Sequence, residues 1–518
     1  MSEQLALLPE YLTAHLQLTL LALLCSSAVS LPLGVVITRV RWLETPALAL
    51  AGIIQTIPSL ALLAIMVPLL ASLHLQSIGF LPAFIGLTLY GVLPILRNTV
   101  TGINGVNPAQ REAARAVGMT AAQQLRRVEL PLALPVIIAG LRTATVWTVG
   151  IATLSTPVGA TSLGNYIFSG LQTRNYAAVL VGCVAAAVLA LLLDSLVRGL
   201  EVAIRMRRRG LTGAVGTAIA ILYLYTGFTL AATLLPSDDR TITIGAKGFT
   251  EQYVLAEVLS QWVERETGHP TNQMQSLGSM VAFDAIVAGD IDVLVDYTGT
   301  LWANVLKRTT AGINRDVVLA EVSAFLFDRH GIQVVATLGF ENAYAVAARA
   351  QDAERLRLTR ISDLTPLAPT LSMAGDFEFF SRPEWVAIRD AYELTFDAQR
   401  TMDAGLMYQA VAEGAVDLIS AYTTDGRITA YDLRVLEDDR AVIPPYDAVV
   451  LVSAKLSRER PDVVSTLSRL QGTIDVESMR RMNLLVDEQG VDPGTVAAGF
   501  LTTLSAARPG NNDTRERE

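Results

Sequence analysis

Long uncharged runs separated by short arginine-rich stretches fill the first 236 positions; beyond them lie shorter apolar runs broken by polar residues. Residues 11–38 carry no Asp, Glu, Lys or Arg. About 20 apolar residues cross a bilayer as a helix, so this run predicts one span. Residues 45–96 carry none either, enough for two spans with a turn near 72–77. A fourth span is expected within 134–160, its start interrupted by Arg142, and a fifth at about 176–193. A sixth is expected at 207–236, where three arginines precede an uncharged run. Short cytoplasmic loops collect positive charge. Arg39 and Arg41 follow span one, and Arg97, Arg111, Arg115, Arg126 and Arg127 follow span three. Arg198, Arg205, Arg207, Arg208 and Arg209 follow span five. With the N-terminus outside, all these groups are cytoplasmic, the outer loops hold only Arg174, and the sixth span leads outward. That span either tethers the C-terminal half of the chain to the membrane or is cut near Ala231 and Ala232.

From residue 240 the period changes. "TITIGAKGF" reads as a strand entering a loop. "TEQYVLAEVLSQWVERETG" reads as a helix with Leu255, Val258, Leu259, Trp262 and Val263 on one face and Gly268 as its stop. This order predicts an α/β fold. An internal echo doubles it. "AIVAGDIDVLVDYTG" from Ala285 matches "AVAEGAVDLISAYTT" from Ala410, setting Gly289 against Gly414, Asp292 against Asp417 and Tyr297 against Tyr422. "TITIGAKGFTEQ" and "PTLSMAGDFEFFSRP" form a weaker pair, the first carrying Lys247 and the second leading to Arg382. Two similar lobes are therefore expected, with the chain crossing between them near 339–345 and 443–448. Ligands of open α/β sheets bind beyond the carboxyl ends of the strands, so facing lobes would close on a small ligand.

Composition agrees with a membrane half joined to an acidic outer half. Mean hydropathy is +0.41, and charged residues make up 17%, against roughly 25% in soluble domains. The net charge of −9 argues against a nucleic-acid partner. Cys25 and Cys183 fall in apolar runs and read as small core residues. The only lysines are Lys247, Lys307 and Lys455, none in a phosphate-binding G-x-x-x-x-G-K-[ST] loop, so ATP hydrolysis by this chain is not expected. His15, His74, His269 and His330 show no metal spacing. No metal, cofactor or catalytic residue is therefore assigned. The carboxylates Glu264 and Glu266 read as a solvated face, Asp425 as the organiser of a turn, and the tail 508–518 as disordered.

The loop after span three reads "EAARAVGMTAAQQLRRVELP": a short helix, a glycine break, a second helix and a proline re-entering the membrane. It resembles the coupling motif of ABC-importer permeases, E-A-A-x3-G-x9-I-x-L-P, through Glu112, Ala113, Ala114, Gly118, Leu130 and Pro131, with Val128 in the Ile position. The resemblance implies docking onto a separate cytoplasmic ATPase subunit and two permease units per pathway.

Tyr297, Tyr344, Tyr422 and Tyr446 each fall at a loop or crossing and together suggest an aromatic box. A quaternary ammonium lacks N–H donors, so ring faces are its natural partners. Lys247 and Arg382 would suit a carboxylate at the ligand's other end. "GAKGFTEQY", "DYTGT", "ENAYAV", "DFEFFSRP", "AYTTDGR" and "PPYDAVV" look like the binding proteins of glycine betaine, carnitine and choline importers, over nearly all of 240–505. Residues 11–200 resemble the permeases of the same systems. The resemblance implies that Tyr297, Tyr344, Tyr422 and Tyr446 hold a trimethylammonium group and that Lys247, Thr300 and Arg382 meet the carboxylate. Gly248 departs from the Asn or Asp common at its position. Ergothioneine carriers share this fused architecture, and ergothioneine is itself a trimethylammonium betaine.

The expected fold is an all-α membrane permease domain of about five helices, ABC-importer type I-like, with a tethering sixth helix. Beyond it is an α/β two-lobed domain like a type II periplasmic binding protein. Expected boundaries are 1–205 for the permease, 206–239 for the sixth helix and linker, and 240–507 for the binding domain. Lobe one takes about 240–340 and 447–507, lobe two about 341–446, and the tail 508–518. The expected function is osmoprotectant uptake through the inner membrane by a homodimer of this chain, with lipid around it and two ATPase subunits below it. Ergothioneine import and a solute-sensing receptor without transport are the alternatives.

Overall fold

The computed structural model describes residues 2–73, 75–173, 175–206, 208–234, 241–308 and 314–506. His74, Arg174, Arg207, the linker 235–240 and the tail 508–518 lie outside the described residues. The chain forms two compact units, Met1–Phe168 with Ala177–Asp239, and Ser169–Tyr176 with Arg240–Glu518.

In the first unit, among the described residues, Leu7–Arg39, Phe80–Asn104, Ala121–Val158, Tyr176–Arg205 and Arg209–Ala231 are helices long and apolar enough to cross a membrane. Trp42–Thr56 and Ser59–Ser72 form a pair bent by 98°, which makes a sixth span if counted as one. The bend has a local cause. A residue before proline is driven out of the helical region, and Ile57, before Pro58, sits at φ −70°, ψ 127°. The helix Tyr176–Arg205 outlasts the expected 176–193, because its carboxylates have a partner. Arg142 donates to Asp194 at 2.9 and 3.1 Å and to Glu201 at 3.3 Å. Intramembrane charges persist when paired inside the bundle, so Arg142 does not end the helix Leu130–Ala152. Ser26 and Ser30 tie the first helix to the third span by donating to the carbonyls of Thr88 and Val92 at 2.8 and 3.1 Å. Cys183 is exposed on its helix and is not a core residue; an apolar position on a membrane helix can face outward as well as inward.

Among its described residues the second unit holds ten strands: β1 (Ile242–Lys247), β2 (Thr271–Leu277), β3 (Val293–Tyr297), β4 (Gln333–Glu341), β5 (Tyr344–Arg349), β6 (Ser372–Gly375), β7 (Ala398–Thr401), β8 (Leu418–Tyr422), β9 (Leu433–Val435) and β10 (Asp447–Val452). They form two five-stranded sheets, β2-β1-β3-β10-β4 and β7-β6-β8-β5-β9. In the first, β1 runs parallel to β2 and β3, and β10 antiparallel to β3 and β4. In the second, β6 runs parallel to β7 and β8, and β5 antiparallel to β8 and β9. Position by position the sheets are the same, so the sequence echo is a structural repeat. Gly289 and Gly414 take φ +78° and +77° after equivalent helices. Asp292 accepts the Thr243 N–H of β1 at 3.0 Å, and Asp417 the Ser372 N–H of β6 at 2.8 Å. The paired aspartates thus hold the start of equivalent strands, β1 and β6.

The chain passes between the sheets at Asn342–Ala343, after β4, and again between β9 and β10. The passages are bonded together, Asn342 N–H donating to the Tyr446 carbonyl at 3.0 Å. The helix Thr250–Thr267 buries Leu255, Val258, Leu259, Trp262 and Val263 beneath the first sheet and ends at Gly268, φ +73°.

Candidate functional site

The repeat brings strand ends together. Lys247 ends β1, Tyr297 ends β3 and Tyr422 ends β8, while Tyr344 opens β5 and Tyr446 immediately precedes β10. Ring centroids of Tyr344 and Tyr422 lie 5.2 Å apart, and those of Tyr344 and Tyr446 6.4 Å apart. Phe249 stacks between lobes, 5.9 Å from Tyr422 and 6.3 Å from Tyr297. Phe379 completes the cluster 5.2 Å from Tyr344. Gly299 makes room for one wall, since a Cβ there would lie 2.5 Å from the Tyr446 ring.

Both predicted cations reach these rings. Lys247 Nζ lies 5.4 Å from the Tyr297 centroid and the Arg382 guanidinium 5.1 Å from that of Tyr344, within cation–π range. Each is also buried against a carboxylate. Lys247 pairs with Asp296 at 2.5 Å. Arg382 pairs with Glu384 at 2.8 Å and Glu378 at 3.2 Å, and its Nη2 lies 3.5 Å from Thr300 Oγ1. All seven residues selected from the sequence therefore meet in one cluster, but neither cation is free.

Three tyrosine hydroxyls donate to buried carboxylates. Tyr297 donates to Glu251 at 2.6 Å, Tyr422 to Asp376 at 2.9 Å, and Tyr446 to Glu384. Burial first, and these neighbouring carboxylates second, hold the phenols of Tyr297, Tyr422 and Tyr446 well above the ordinary tyrosine value. Burial likewise raises Glu251 and Asp376. Glu251 also accepts from Asn342 at 3.0 Å, Thr424 at 2.5 Å and Asn483 at 3.2 Å. Asp425 organises its turn as expected, accepting from the Arg427 backbone at 2.9 Å, and it pairs with that guanidinium at 2.5 Å.

Phe249, Glu251, Asp296, Asp376 and Glu384 were not singled out from the sequence. A signal existed for two of them: Glu251 and Asp376 both lie just past equivalent strands, β1 and β6, in the two segments that echo one another.

The loop of the permease unit is separate. Asn107 caps the helix Pro108–Ala116 by accepting from Ala109 N–H, and Gly118 breaks it at φ +80°. Thr120 and Gln123 form a capping box, and the chain passes through a π-turn, Leu125–Glu129, into the helix that starts at Leu130 and Pro131. Glu129 is fully buried and clamps the loop: it accepts from Gln124 at 2.8 Å, pairs with Arg111 at 3.3 Å, and takes Arg39 from the end of the first helix. Ala114 faces inward, while Glu112, Ala113 and Gly118 are exposed. The clamp thus anchors one side of the loop and leaves the other open for contact.

Comparison with known proteins places both units. The family described as the substrate binding domain of ABC-type glycine betaine transport systems matches residues 240–503. The family of binding-protein-dependent transport system inner membrane components matches residues 30–206. The chain is 29% identical over 471 residues to the ergothioneine transport permease/ergothioneine binding protein EgtU of Helicobacter pylori strain G27, covering 88% of this chain and 83% of that one. It is 45% identical over 180 residues to the choline transport system permease protein OpuBB of Bacillus subtilis strain 168, covering 35% and 80%. It is 30% identical over 290 residues to the carnitine transport binding protein OpuCC of Listeria monocytogenes, covering 54% and 94%.

Proposed function

Because this chain belongs to the family of ABC-type glycine betaine substrate-binding domains, fused here to an importer permease, we propose that it captures a trimethylammonium solute and forms its pathway across the membrane. As an importer subunit it is a multi-pass inner-membrane protein with its binding domain outside, and it works with a small-molecule ligand and an ATPase partner. The observation that carries the ligand class is the ring cluster of Tyr297, Tyr344, Tyr422, Tyr446 and Phe249 at the facing strand ends. Contiguous ring faces attract a cation that cannot hydrogen-bond. Lys247, Thr300 and Arg382 receive the ligand's carboxylate, or the hydroxyl of choline, in competition with Asp296 and Glu384. Glycine betaine, carnitine and choline are the first candidates. Ergothioneine is the second reading, favoured by the relative that matches across both units. Two copies of the chain form the pore, and the exposed face of the loop at Glu112, Ala113 and Gly118 docks one ATPase subunit on each.

The test is calorimetric titration of the full chain in lipid nanodiscs with glycine betaine, carnitine, choline and ergothioneine. Binding of at least one, followed by its ATP-driven uptake into vesicles containing the ATPase, supports the reading. Binding of none overturns it.

A further inference from the structure

A phenol carries one proton, and three tyrosines of the cluster give theirs to carboxylates. The arrangement is built twice by the repeat. In lobe one, Glu251 lies just past β1 and takes the hydroxyl of Tyr297 at the end of β3. In lobe two, Asp376 lies just past β6 and takes the hydroxyl of Tyr422 at the end of β8. Glu384, in the first turn of the helix Pro383–Tyr392, takes that of Tyr446. The carboxylates are held in place independently of the rings. Asp376 Oδ1 accepts two backbone N–H groups, from Glu378 at 2.8 Å and Phe379 at 3.1 Å, which leaves Oδ2 for the tyrosine. Glu251 is fixed by Asn342, Thr424 and Asn483.

A hydroxyl already donated offers no donor to a ligand, so these tyrosines present only ring faces and phenolic lone pairs, both electronegative. A charge-assisted hydrogen bond also shifts electron density onto the ring, and cation–π attraction is electrostatic. Both effects strengthen in a buried, low-dielectric setting.

We propose that Glu251, Asp376 and Glu384 are specificity-determining positioning residues: acting through Tyr297, Tyr422 and Tyr446, they make the cluster select a permanent cation over a neutral molecule of the same shape. This rests on the assignment of the site to a trimethylammonium solute. The raised phenol values agree with it, since each ring stays protonated and able to donate.

The test uses the full chain in nanodiscs with two probes of matched shape, choline and its uncharged carbon analogue 3,3-dimethylbutan-1-ol. The wild type should bind choline the more tightly. Asp376→Asn should weaken choline by about threefold to tenfold and leave the alcohol unchanged. Tyr422→Phe should do the same, and the double variant should lose no more than either single one, because both remove one interaction. Equal weakening of both probes would mean a merely structural role and overturn the proposal. So would an Asp376→Asn effect that persists in full beside Phe at 422, since the carboxylate would then act on the ligand directly. Should Asp376→Asn not fold, the cycle of Glu251→Gln with Tyr297→Phe is read by the same outcomes. A wild type that does not prefer choline overturns the proposal; the trimethylammonium reading of the site fails separately, when none of the four solutes binds.

Discussion

Raising the pH from about 5 to about 8 should destabilise the outer unit, and Asp487→Asn should remove part of that dependence. Asp487 ends the buried face of the helix Val476–Asp487. Its Oδ1 accepts the Thr250 hydroxyl at 2.6 Å, and its Oδ2 lies 3.7 Å from Arg427 Nε. Arg427 already grips Asp425 at 2.5 and 2.8 Å, so one guanidinium faces two carboxylates. Burial, offset by Arg427 but reinforced by Asp425, pushes Asp487 from 3.8 up to about 7. Between those values the unfolded aspartate is ionised while the folded one keeps its proton. The folded state then binds more protons, so stability falls as pH rises and levels off above about 7. At 1.36 kcal/mol per tenfold in proton affinity, the two pH units between about 5 and about 7 set an upper bound of about 3 kcal/mol. Because Arg427 is shared, about 1–3 kcal/mol is expected, or roughly 3–8 °C in Tm for a domain of this size. The assay is thermal unfolding of the full chain in detergent, followed by fluorescence of Trp262, Trp302 and Trp385, all buried in this unit. Glu251, Asp376, Asp292 and Asp447 are raised by burial too, so a shallower slope remains in the variant. A slope parallel to wild type would refute the assignment of the proton to Asp487.

Two further substitutions probe the two sites separately. Gly299→Ala puts a methyl 2.5 Å from the Tyr446 ring; overpacking costs about 1–3 kcal/mol, so solute affinity should fall about fivefold to a hundredfold by calorimetry, and unchanged affinity would remove that wall from the site. Gly118→Ala meets no neighbour within 4 Å but must hold φ +80°, a strain of roughly 1–2 kcal/mol for a residue with a Cβ; ATP-driven uptake should drop while solute affinity stays at the wild-type value, and full uptake would show that the loop does not need this turn.

The membrane half was legible because burial in lipid demands long uncharged runs, and arginine placement then orders them. What escaped were effects of distant partners. Arg142 reads as an interruption until Asp194, 52 residues on, takes it bidentately. The bend at Pro58 was locally encoded, but hydropathy does not register direction. In the outer half the four tyrosines stood out because each sits where a strand gives way to a loop, and the repeat flags Tyr297 and Tyr422 as equivalent. The carboxylates that pair with the charges around them were not visible along the chain. Lys247 looks free along the chain, yet Asp296 is 49 residues away and next to it in space, because β1 and β3 are neighbours in a sheet whose order the sequence does not declare.

The repeat also isolates what is not repeated. Asp376 finds its other partners in its own loop, the backbone of Glu378 and Phe379. Glu251 finds them elsewhere: Asn342 in the first crossing, Asn483 in the helix Val476–Asp487, and Thr424 in the second lobe, two residues past Tyr422. One oxygen of Glu251 therefore faces a ring of the site and the crossing, while the other is bonded across the cleft. Separating the lobes takes the Thr424 hydroxyl away from a buried carboxylate, which leaves part of its charge uncompensated and costs about 1–3 kcal/mol. The same group fixes Tyr297, so the lobe positions and the proton of a site tyrosine are linked through a single side chain. In the second lobe Asp376 is held by its own loop, and it can keep Tyr422 whether the cleft is open or closed. The duplicated scaffold thus carries an asymmetric pair: the carboxylate behind Tyr422 is held by its own loop, and the one behind Tyr297 is held in part by Thr424 of the other lobe.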